Sequence, residues 1–397
     1  MIKAFLSNAQ YPEFGGATVP LPIPSDEYEE ILDLLKAKEI GGALEHDCHV
    51  VEMTGDYPVL KGLEGSSVNL DELDYLAKRL DSFGPGEAAQ FQAMAEKLGL
   101  CSTADLINLT FCCQRATVIT DFSDLEAVGL AHFMNLNGGC AATDELEALD
   151  GYETALLLID SGAGTITPYG VVYDNGMKLE QLYDGRHFPA YDHAASLIAL
   201  AITPKTEDQE NHSVDYLYLP APDSVIKRTL LHSGLDFDGI QFHIESHTLP
   251  QTVADVLDVA GEDIWDLNDM CHAIRDLDSR EMDKLSAAVL LAKPETAFEV
   301  GELARNLDLF DFIPGVRDAE EYGKYMIQQS GRFEYDPNLD NFYNYSQYGW
   351  SRINREQGQF NELGYIAYQG TMTMEELLCG DPVERMDQQM DGMGGMA

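Results

Sequence analysis

Three polar residues in the segment QFHIESH have the spacing of metal ligands on a strand. His243, Glu245 and His247 alternate along the chain, and alternate residues of a strand point to the same face. Imidazole and carboxylate groups placed in this way can bind Zn²⁺. The pattern differs from His-Glu-x-x-His, and nothing around it supplies an orienting context. We therefore interpret the three residues as the polar face of a half-buried strand and predict no metal site.

Other motifs that carry chemistry are weaker. The glycine-rich run 161–164 (SGAG) does not lead from a strand into a helix with a lysine, and the run 236–239 (DFDG) places its glycine wrongly for a calcium loop. No Gly-x-Ser-x-Gly is present. A triad of distant residues needs no local motif, so spacing alone leaves catalysis open. Nothing in the sequence argues for such an arrangement.

The strongest chemical feature is the charge. Sixty-nine acids face 24 bases, which gives a net charge of −45. Residues 1–200 contribute −22 and residues 201–397 contribute −23, so the acids are spread evenly and do not form a tail. Such a surface repels nucleic-acid phosphates and attracts cationic partners. We expect no direct binding of nucleic acid.

A charge of this size is comparable with that of DNA. B-DNA carries about one negative charge per 1.7 Å of axis, so −45 equals the charge on roughly 75 Å of duplex, or about 22 base pairs. If the carboxylates line one surface, the protein can occupy the cationic channel of a DNA-binding partner. The alternative is that the charge only solvates an acidic protein. The sequence shows the number and spread of the acids but not their geometry.

Alternating strands and helices must position these acids. The pattern predicts strands at 2–7 and 49–53, with an acidic helix at 26–37 between them. An apolar face that repeats with helical spacing predicts a helix at 70–80, and further helices are predicted at 86–98 and 103–112. Ser123 begins a capping box for the next short helix, and Gly129 is placed at its C-cap. A helix at 143–149, an apolar run at 155–159, a hairpin at 164–173 and a short helix within 176–185 follow.

The chain then repeats itself. Residues 299–323 align without a gap to residues 105–129 at an offset of 194, and three glycines between 164 and 176 recur at the same offset. LPIPSD at 21–26 recurs as LPAPDS at an offset of 198. The apolar residues of the helix at 70–80 recur from Leu267 onwards at an offset of 197. We therefore predict two tandem copies of one α+β unit.

Each predicted copy has three parts. The first copy covers residues 1–188, with an α+β piece at 1–68, a helical piece at 69–115 and a second α+β piece at 116–188. The second copy covers residues 189–380, with the corresponding pieces at 189–265, 266–308 and 309–380. Residues 381–397 are rich in Gly, Met and Gln, and a disordered tail is predicted there.

Compartment is indicated by absences in the sequence. There is no apolar run of about 18 residues, which a membrane span requires. The N-terminus does not have the pattern of a secretory signal. The seven cysteines include no Cys-x-x-Cys pair. A reduced, cytoplasmic location is expected.

At this level of detail the chain resembles the ArdA antirestriction proteins of conjugative elements. The resemblance lies in KAFLSNAQYPEFGG, in HVVEMTGDYP followed by NLDELDYLAKRLDSF, and in DLINLTF before VITDFSDLEAVG. The second copy contributes FDFIPGVRDAEEYGKYMIQQSG, NFYNYSQYG and FNELGYIAYQG. The resemblance covers nearly all of both copies and consists of patterned apolar residues, glycines and acids.

The resemblance implies an elongated, three-part α+β protein of a mobile genetic element that mimics bent B-DNA. Its expected partner is a type I restriction–modification enzyme, whose DNA-binding channel it would occupy to protect incoming DNA. Such proteins have no catalytic residues and no cofactor, so the resemblance implies that the chain is not an enzyme. They commonly act as dimers. A typical member is a single unit, whereas this chain has two. We therefore expect a pseudo-dimer within one chain, with further self-association left open.

The candidate partner-binding residues are acids in and beside the predicted helices, which would stand in for phosphates. They are Asp71, Glu72, Asp74, Asp81, Asp121, Asp124, Glu126, Asp144, Glu145, Glu147, Asp269, Asp276, Asp278, Asp311, Asp318, Glu320 and Glu321. Because exposed ion pairs are individually weak, single changes such as Asp74→Ala are expected to have almost no effect on the affinity for the partner. For Asp124 and Asp318 the preferred interpretation is helix capping.

Two other functions stay open on the sequence. In one, the mimic inhibits a different nucleic-acid-binding defence complex or a regulator. In the other, the chain is an acidic enzyme or a metal-binding protein, which the missing motifs disfavour.

Overall fold

The fold is α+β, with many helices and with small antiparallel sheets, four of which lie in the residues that the structure describes. The computed structural model describes residues 1–139, 141–191, 193, 196–205, 213–234, 239–257 and 261–380. The chain divides into two compact units. Unit 1 comprises Met1–Asp192, Ile202–Tyr216 and Pro222–Ile240, and unit 2 comprises His193–Ala201, Leu217–Ala221 and Gln241–Ala397.

Thirteen strands lie in the described residues and form sheets of order β2-β1-β3-β4, β5-β7-β6, β10-β8-β9 and β11-β13-β12. In chain order the strands are β1 Ile2–Asn8, β2 Gly16–Leu21, β3 Cys48–Gly55, β4 Ser67–Val68, β5 Thr117–Ile119, β6 Thr165–Thr167, β7 Gly170–Tyr173, β8 Ile198–Pro204, β9 Asp215–Leu219, β10 Ile240–His247, β11 Phe310–Pro314, β12 Gln359–Phe360 and β13 Gly364–Tyr368.

Fifteen α-helices are found among the same residues. They are α1 Tyr28–Lys36, α2 Leu70–Asp81, α3 Pro85–Leu98, α4 Thr103–Leu109, α5 Leu125–Leu136, α6 Thr143–Ala148, α7 Gly151–Asp160, α8 Asp223–Ser233, α9 Gln251–Ala254, α10 Ile264–Arg275, α11 Ser279–Ala292, α12 Ala297–Arg305, α13 Ala319–Gln328, α14 Tyr345–Glu356 and α15 Met374–Cys379.

The first sheet buries one face and exposes the other. Along β1, residues alternate between buried and exposed, and Ala4 and Leu6 are fully buried. Strand β1 pairs antiparallel with both β2 and β3. The buried face packs in one core with apolar residues of α1 to α4. The predicted α+β piece and the predicted helical piece therefore share one core.

The helical pieces of the two predicted copies correspond at a single offset. Helices α10, α11 and α12 begin at an offset of 194 from α2, α3 and α4 respectively, and α11 also ends at that offset from α3. The offset of 197 predicted for the first of these helices is therefore wrong. The buried residues Leu70, Leu73 and Leu80 of α2 match Ile264, Leu267 and Ile274, and a periodic apolar face allows such a slip of nearly one turn.

The prediction that Gly129 ends a helix is wrong, and Gly323, at the offset of 194, does not end a helix either. Each lies inside a helix, α5 or α13, and each is buried. A Cβ atom on Gly129 would lie 1.8 Å from the carbonyl oxygen of Gly151, and one on Gly323 would lie 2.1 Å from that of Tyr345. These glycines are needed because a second helix backbone crosses them closely. Gly151 and Tyr345 are themselves related by the offset of 194, so it also holds for these helix pairs.

The compact units do not coincide with the predicted copies. Helix α8 belongs to the second copy by sequence, but it is part of unit 1. There Ser224 donates from its backbone N–H to Glu29 at 2.9 Å, and Arg228 bonds to Asp71. The common offset and the like order of the sheets β5-β7-β6 and β11-β13-β12 support the duplication, which stays a prediction.

The prediction of a short helix within 176–185 is wrong, because residues 177–184 have no regular structure. This stretch is instead held to α4 by Asn108, whose side chain accepts the backbone N–H groups of Leu182 and Tyr183. The predicted disordered tail at 381–397 lies outside the described residues, as does most of the run 236–239. Within the described part of the chain, no helix is both long and apolar enough to cross a membrane.

Candidate functional site

Most of the predicted partner-binding acids are exposed. Thirteen of the seventeen lie at the surface. They are Asp81, Asp121, Asp124, Glu126, Asp144, Glu145, Glu147, Asp276, Asp278, Asp311, Asp318, Glu320 and Glu321. Both units contribute to this set. These carboxylates are available to a cationic partner.

Glu72 is not available, and its prediction as a phosphate mimic is wrong. Its side chain is only 2% exposed on the inner face of α2. The hydroxyl of Tyr183 donates to one carboxylate oxygen at 3.0 Å, and the hydroxyl of Thr103 donates to the other. A buried carboxylate needs such donors because it has lost its water. Glu72 therefore fastens the segment at Tyr183 and helix α4 to α2.

Asp74 is also a structural residue and not a surface charge. It is 4% exposed and accepts the backbone N–H of Ile23 at 2.7 Å. Its other oxygen pairs with the ammonium group of Lys78 at 2.8 Å. The corresponding residue of α10, Asn268, accepts the backbone N–H of Ala221 at 2.8 Å in the same way. The shared requirement is a hydrogen-bond acceptor, because the two residues differ in charge.

Asp71 and Asp269 are engaged within their own units. Arg228 donates to Asp71 through Nε at 2.7 Å, and Nε2 of His232 lies 2.9 Å from the second oxygen. Asp71 is 11% exposed, so its prediction as a free surface acid is wrong. Asp269 is about one-third exposed and pairs with the guanidinium group of Arg305.

Several exposed acids cap helices and carry surface charge at the same time. Asp124 accepts the backbone N–H of Ala127 at 3.0 Å, which confirms the capping interpretation. Asp318 accepts those of Glu320 and Glu321, both at 2.9 Å. Hydrogen bonds that favour the ionised form lower a carboxyl pKa. The backbone and hydroxyl of Ser123 lower the pKa of Asp121 in this manner.

One segment of the chain carries exposed acids but contains no lysine or arginine. This cation-free segment, residues 116–177, has ten acids and not one Lys or Arg. It includes strands β5 to β7 and helices α5 to α7. Nine of its ten acids are exposed, and the tenth, Asp174, pairs with Lys97 from outside the segment. The segment therefore has no internal lysine or arginine to compete with a partner.

The corresponding segment of the second copy is different. Residues 310–371, related to the first segment by the offset of 194, hold nine acids but also five bases. Among them, Lys324 pairs with Glu320 at 2.7 Å, and Arg352 pairs with Glu356. The net charges are −10 for the first segment and −4 for the second. The two copies therefore offer a cationic partner unequal surfaces.

Unit 1 contains a groove that is lined mostly by residues of the cation-free segment. It has a volume of about 430 Å³ and lies between α3, β5 and α5. Glu87 on α3, together with Asp121 and Asp124 in the loop between β5 and α5, lines the groove, and neither lysine nor arginine is among the described lining residues. Gln90 and Asn135 supply amide groups. The groove therefore combines hydrogen-bonding groups with uncompensated negative charge.

The histidine-rich strand behaves as the polar face that the sequence predicted. On β10, His243, Glu245 and His247 are exposed or half-exposed side chains of one strand face. The imidazole of His243 lies 3.7 Å from the carboxylate of Glu245. Among the described residues no group of three or more His, Cys, Asp or Glu side chains is arranged to hold a metal ion.

Comparison with known proteins does not place the chain in a family. No protein-family model matches the chain, and no match to it was found among curated proteins.

Sequence reasoning missed the unequal distribution of cations. Its signal was present in the printed sequence, since the whole stretch between Arg115 and Lys178 contains no basic side chain except His132. The groove had no such signal, because α3 and α5 meet only in the folded chain.

Proposed function

We propose that the protein is an antirestriction protein that mimics DNA and inhibits type I restriction–modification enzymes. The observation that carries the proposal is the exposure of thirteen predicted carboxylates over both units of a chain with net charge −45. Carboxylates in such number offer lysine and arginine side chains of a DNA channel the same kind of partner as phosphates do. The sequence resemblance names the enzyme class.

The proposal requires that many exposed acids contribute to binding and that binding weaken as the salt concentration rises. Each exposed ion pair contributes about 0–1 kcal/mol, so many acids must act together. Binding to a channel that normally holds DNA should weaken steeply as salt rises, because the small ions that neutralise both surfaces compete for them. Asp121 suits this role because the hydrogen bonds from the backbone and hydroxyl of Ser123 lower its pKa.

Competition with DNA tests the proposal directly. A fluorescent duplex that contains the recognition sequence is bound to a purified type I methyltransferase core, and the protein is titrated into the complex. Displacement of the duplex, with an inhibition constant that rises steeply between low and physiological salt, is expected. The protein would have another function if it left the duplex bound at the lowest salt tested.

The target is separated from other nucleic-acid-binding proteins by a parallel titration. The same protein is added to a type II restriction enzyme and to a sequence-specific repressor, each bound to its own duplex. Displacement from the methyltransferase core at a concentration at least tenfold lower is expected. Equal displacement from all three would show that the protein mimics DNA in general and is not specific for the type I enzyme.

A further inference from the structure

The groove in unit 1 has the composition of a binding site for an organic cation. Its lining includes Val118 and Val128 together with the small residues Ala127 and Ala131. These apolar side chains suit a short alkyl chain. Carboxylates are also part of the lining, and no lysine or arginine is found among the described residues that form it. An alkyl chain that ends in a positive charge matches both features.

The three carboxylates of the groove accept hydrogen bonds from nearby residues. Ser123 donates both its backbone N–H and its hydroxyl to Asp121, each at 2.8 Å, and these bonds lower the pKa of Asp121. Asp124 uses one oxygen to cap α5. Glu87 accepts the backbone N–H of Gly84 at 3.1 Å. Each anion is held in place by the backbone, and the bonds named here leave its charge without a lysine or arginine partner.

The second copy provides an internal comparison. At the offset of 194, the groove residues Gly86 and Gln90 correspond to Arg280 and Lys284. The small residue Ala131 corresponds to Tyr325. Where the first copy has space and no cation, the second copy therefore has two basic side chains and a large aromatic one. The residues that leave the groove open and without lysine or arginine in the first copy are therefore not repeated in the second copy.

We propose that the groove between α3, β5 and α5 binds the guanidinium side chain of an arginine that a basic protein partner presents. Guanidinium has five donors in a planar fork. Acceptors on α3 and in the loop between β5 and α5 line the groove, so several donors find partners at once. The alkyl stem lies against Val118 and Val128. The binding of an alkylguanidinium is independent of the proposed function, whereas its origin in a restriction enzyme rests on that function.

Binding of small probes tests the site. The ¹⁵N-labelled full chain is titrated with n-butylguanidinium, and the amide resonances of Thr120, Asp121 and Ala131 are followed. The neutral isostere n-butylurea and n-butylammonium are titrated in parallel. We expect n-butylguanidinium to bind at least tenfold tighter than n-butylurea and tighter than n-butylammonium. Equal binding of the urea, or shifts that lie outside the groove, would overturn the proposal.

Gly86→Arg introduces the residue of the second copy and supplies a cation from within the chain. A Cβ atom at Gly86 would meet no atom within 4 Å, so the helix can accept the side chain. We expect at least a tenfold loss of n-butylguanidinium affinity. Gly86→Gln is the matched control, because it adds a side chain without charge, and we expect a change of less than threefold. Equal effects of the two variants would contradict the role of charge.

A second variant keeps the test valid if Gly86→Arg does not fold. Asp121→Asn combined with Asp124→Asn removes two charges, and asparagine still accepts the hydrogen bond of a helix cap. A loss of at least tenfold in n-butylguanidinium affinity is expected, and unchanged affinity would refute the site.

The same variants separate the site from the proposed function. If Gly86→Arg loses n-butylguanidinium and also competes less well for the methyltransferase core, the enzyme supplies the arginine. If competition is unchanged, the assignment of the arginine to that enzyme is overturned while the groove stands. If the wild-type chain binds n-butylguanidinium but never displaces DNA, the proposed function fails and the groove is retained.

Discussion

Arg228 and Asp71 form a nearly buried ion pair that joins helix α8 to helix α2. The Nε atom of Arg228 lies 2.7 Å and 3.0 Å from the two carboxylate oxygens of Asp71. Its terminal nitrogens donate to the carbonyl oxygens of Gly41 and Gly42 at 2.8 Å and 3.2 Å. The two charged side chains are 10% and 11% exposed. Arg228, which belongs to the predicted second copy, is therefore bonded to three residues of the predicted first copy.

Arg228→Ala should strongly destabilise unit 1. Removing one partner of a buried pair leaves the other charge without compensation, and this costs about 3–5 kcal/mol. The measurement is the free energy of unfolding in urea, followed by a probe in unit 1. Arg275→Ala is the control, because Arg275 and its partner Asp276 are 46% and 83% exposed, and a change within about 0.5 kcal/mol is expected.

A double-mutant cycle shows whether Asp71 is the partner that matters. If the pair is the main interaction, Asp71→Asn with Arg228→Ala should cost clearly less than the sum of the two single changes. Strict additivity would assign the effect of Arg228 to its bonds with the carbonyl groups of Gly41 and Gly42.

Asp74→Ala should destabilise unit 1, because Asp74 is a buried hydrogen-bond acceptor and not the surface charge that the sequence predicted. The change leaves the buried N–H of Ile23 without this acceptor and frees Lys78, and a hydrogen bond to a charged group contributes about 1.5–3 kcal/mol. Thermal unfolding measures the loss. Asp74→Asn should cost less, because Asn268 performs the same task in α10. Equal losses for the two variants would show that the charge of Asp74 is essential, and not its role as a hydrogen-bond acceptor.

Gly129→Ala tests the close approach of α5 and α7. The added methyl group would meet the carbonyl oxygen of Gly151 at 1.8 Å, and overpacking of this kind costs about 1–3 kcal/mol. Gly323→Ala should have a similar effect in unit 2. Gly86→Ala is the control within a helix, since open space surrounds that position, and alanine there should stabilise by up to about 1 kcal/mol. A stabilising Gly129→Ala would contradict the observed packing.

The ion pair between Lys97 and Asp174 should make a small contribution that depends on pH. The hydrogen bond from Lys97 at 2.6 Å, followed by that from the backbone of Gly176, lowers the pKa of Asp174 in the folded chain. The unfolded chain then binds this proton more readily. The contribution is present above the ordinary Asp pKa of about 3.9 and is lost as the pH falls through the lower folded value.

Asp174→Asn measures this contribution. Because Asp174 is 47% exposed, solvent screening limits it to about 0.5 kcal/mol at neutral pH. Urea unfolding of both proteins, from neutral pH into the acid range, should show a difference that shrinks below about pH 4. A difference that stayed constant with pH would exclude ionisation of Asp174 as its source.

Neutralisation of four acids tests the cation-free segment as the partner surface. The changes Asp144→Asn, Glu147→Gln, Glu153→Gln and Asp160→Asn remove exposed charges that do not cap helices. At about 0.5 kcal/mol each, competition for the methyltransferase core should weaken by roughly 30-fold. Four matched changes in residues 310–371, at Asp311, Glu320, Glu334 and Glu362, should have a smaller effect. A larger effect of the second set would place the main contact in the second copy.

Helix and strand positions followed from the sequence wherever periodicity was strong. Helix α3 was predicted at 86–98 and spans Pro85–Leu98; strand β3 was predicted at 49–53 and spans Cys48–Gly55. The amphipathic spacing of α2 also located its start at Leu70. The register between the copies was less secure, because a face that repeats every three or four residues aligns almost as well after a shift of three.

The roles of the acids on α2 could not be predicted. Asp71 and its partner Arg228 are far apart along the chain, and so are Glu72 and Tyr183. Such contacts leave no local pattern in the sequence. Charged residues beside an apolar stripe normally face solvent, but on α2 other elements cover both flanks of the stripe. Exposure was predicted correctly where the acids cap helices, since a cap lies at a helix end.

The edge strand β6 gives the high negative charge a second consequence. Ile166, at its centre, is 86% exposed, and β6 pairs with β7 alone in the order β5-β7-β6. An apolar residue on an open strand edge invites another chain to pair there. The exposed acids of the cation-free segment oppose this pairing, because two approaching molecules meet with like charge. The carboxylates that suit a cationic partner therefore also give the protein colloidal stability, which should fail first when acid or concentrated salt removes the repulsion.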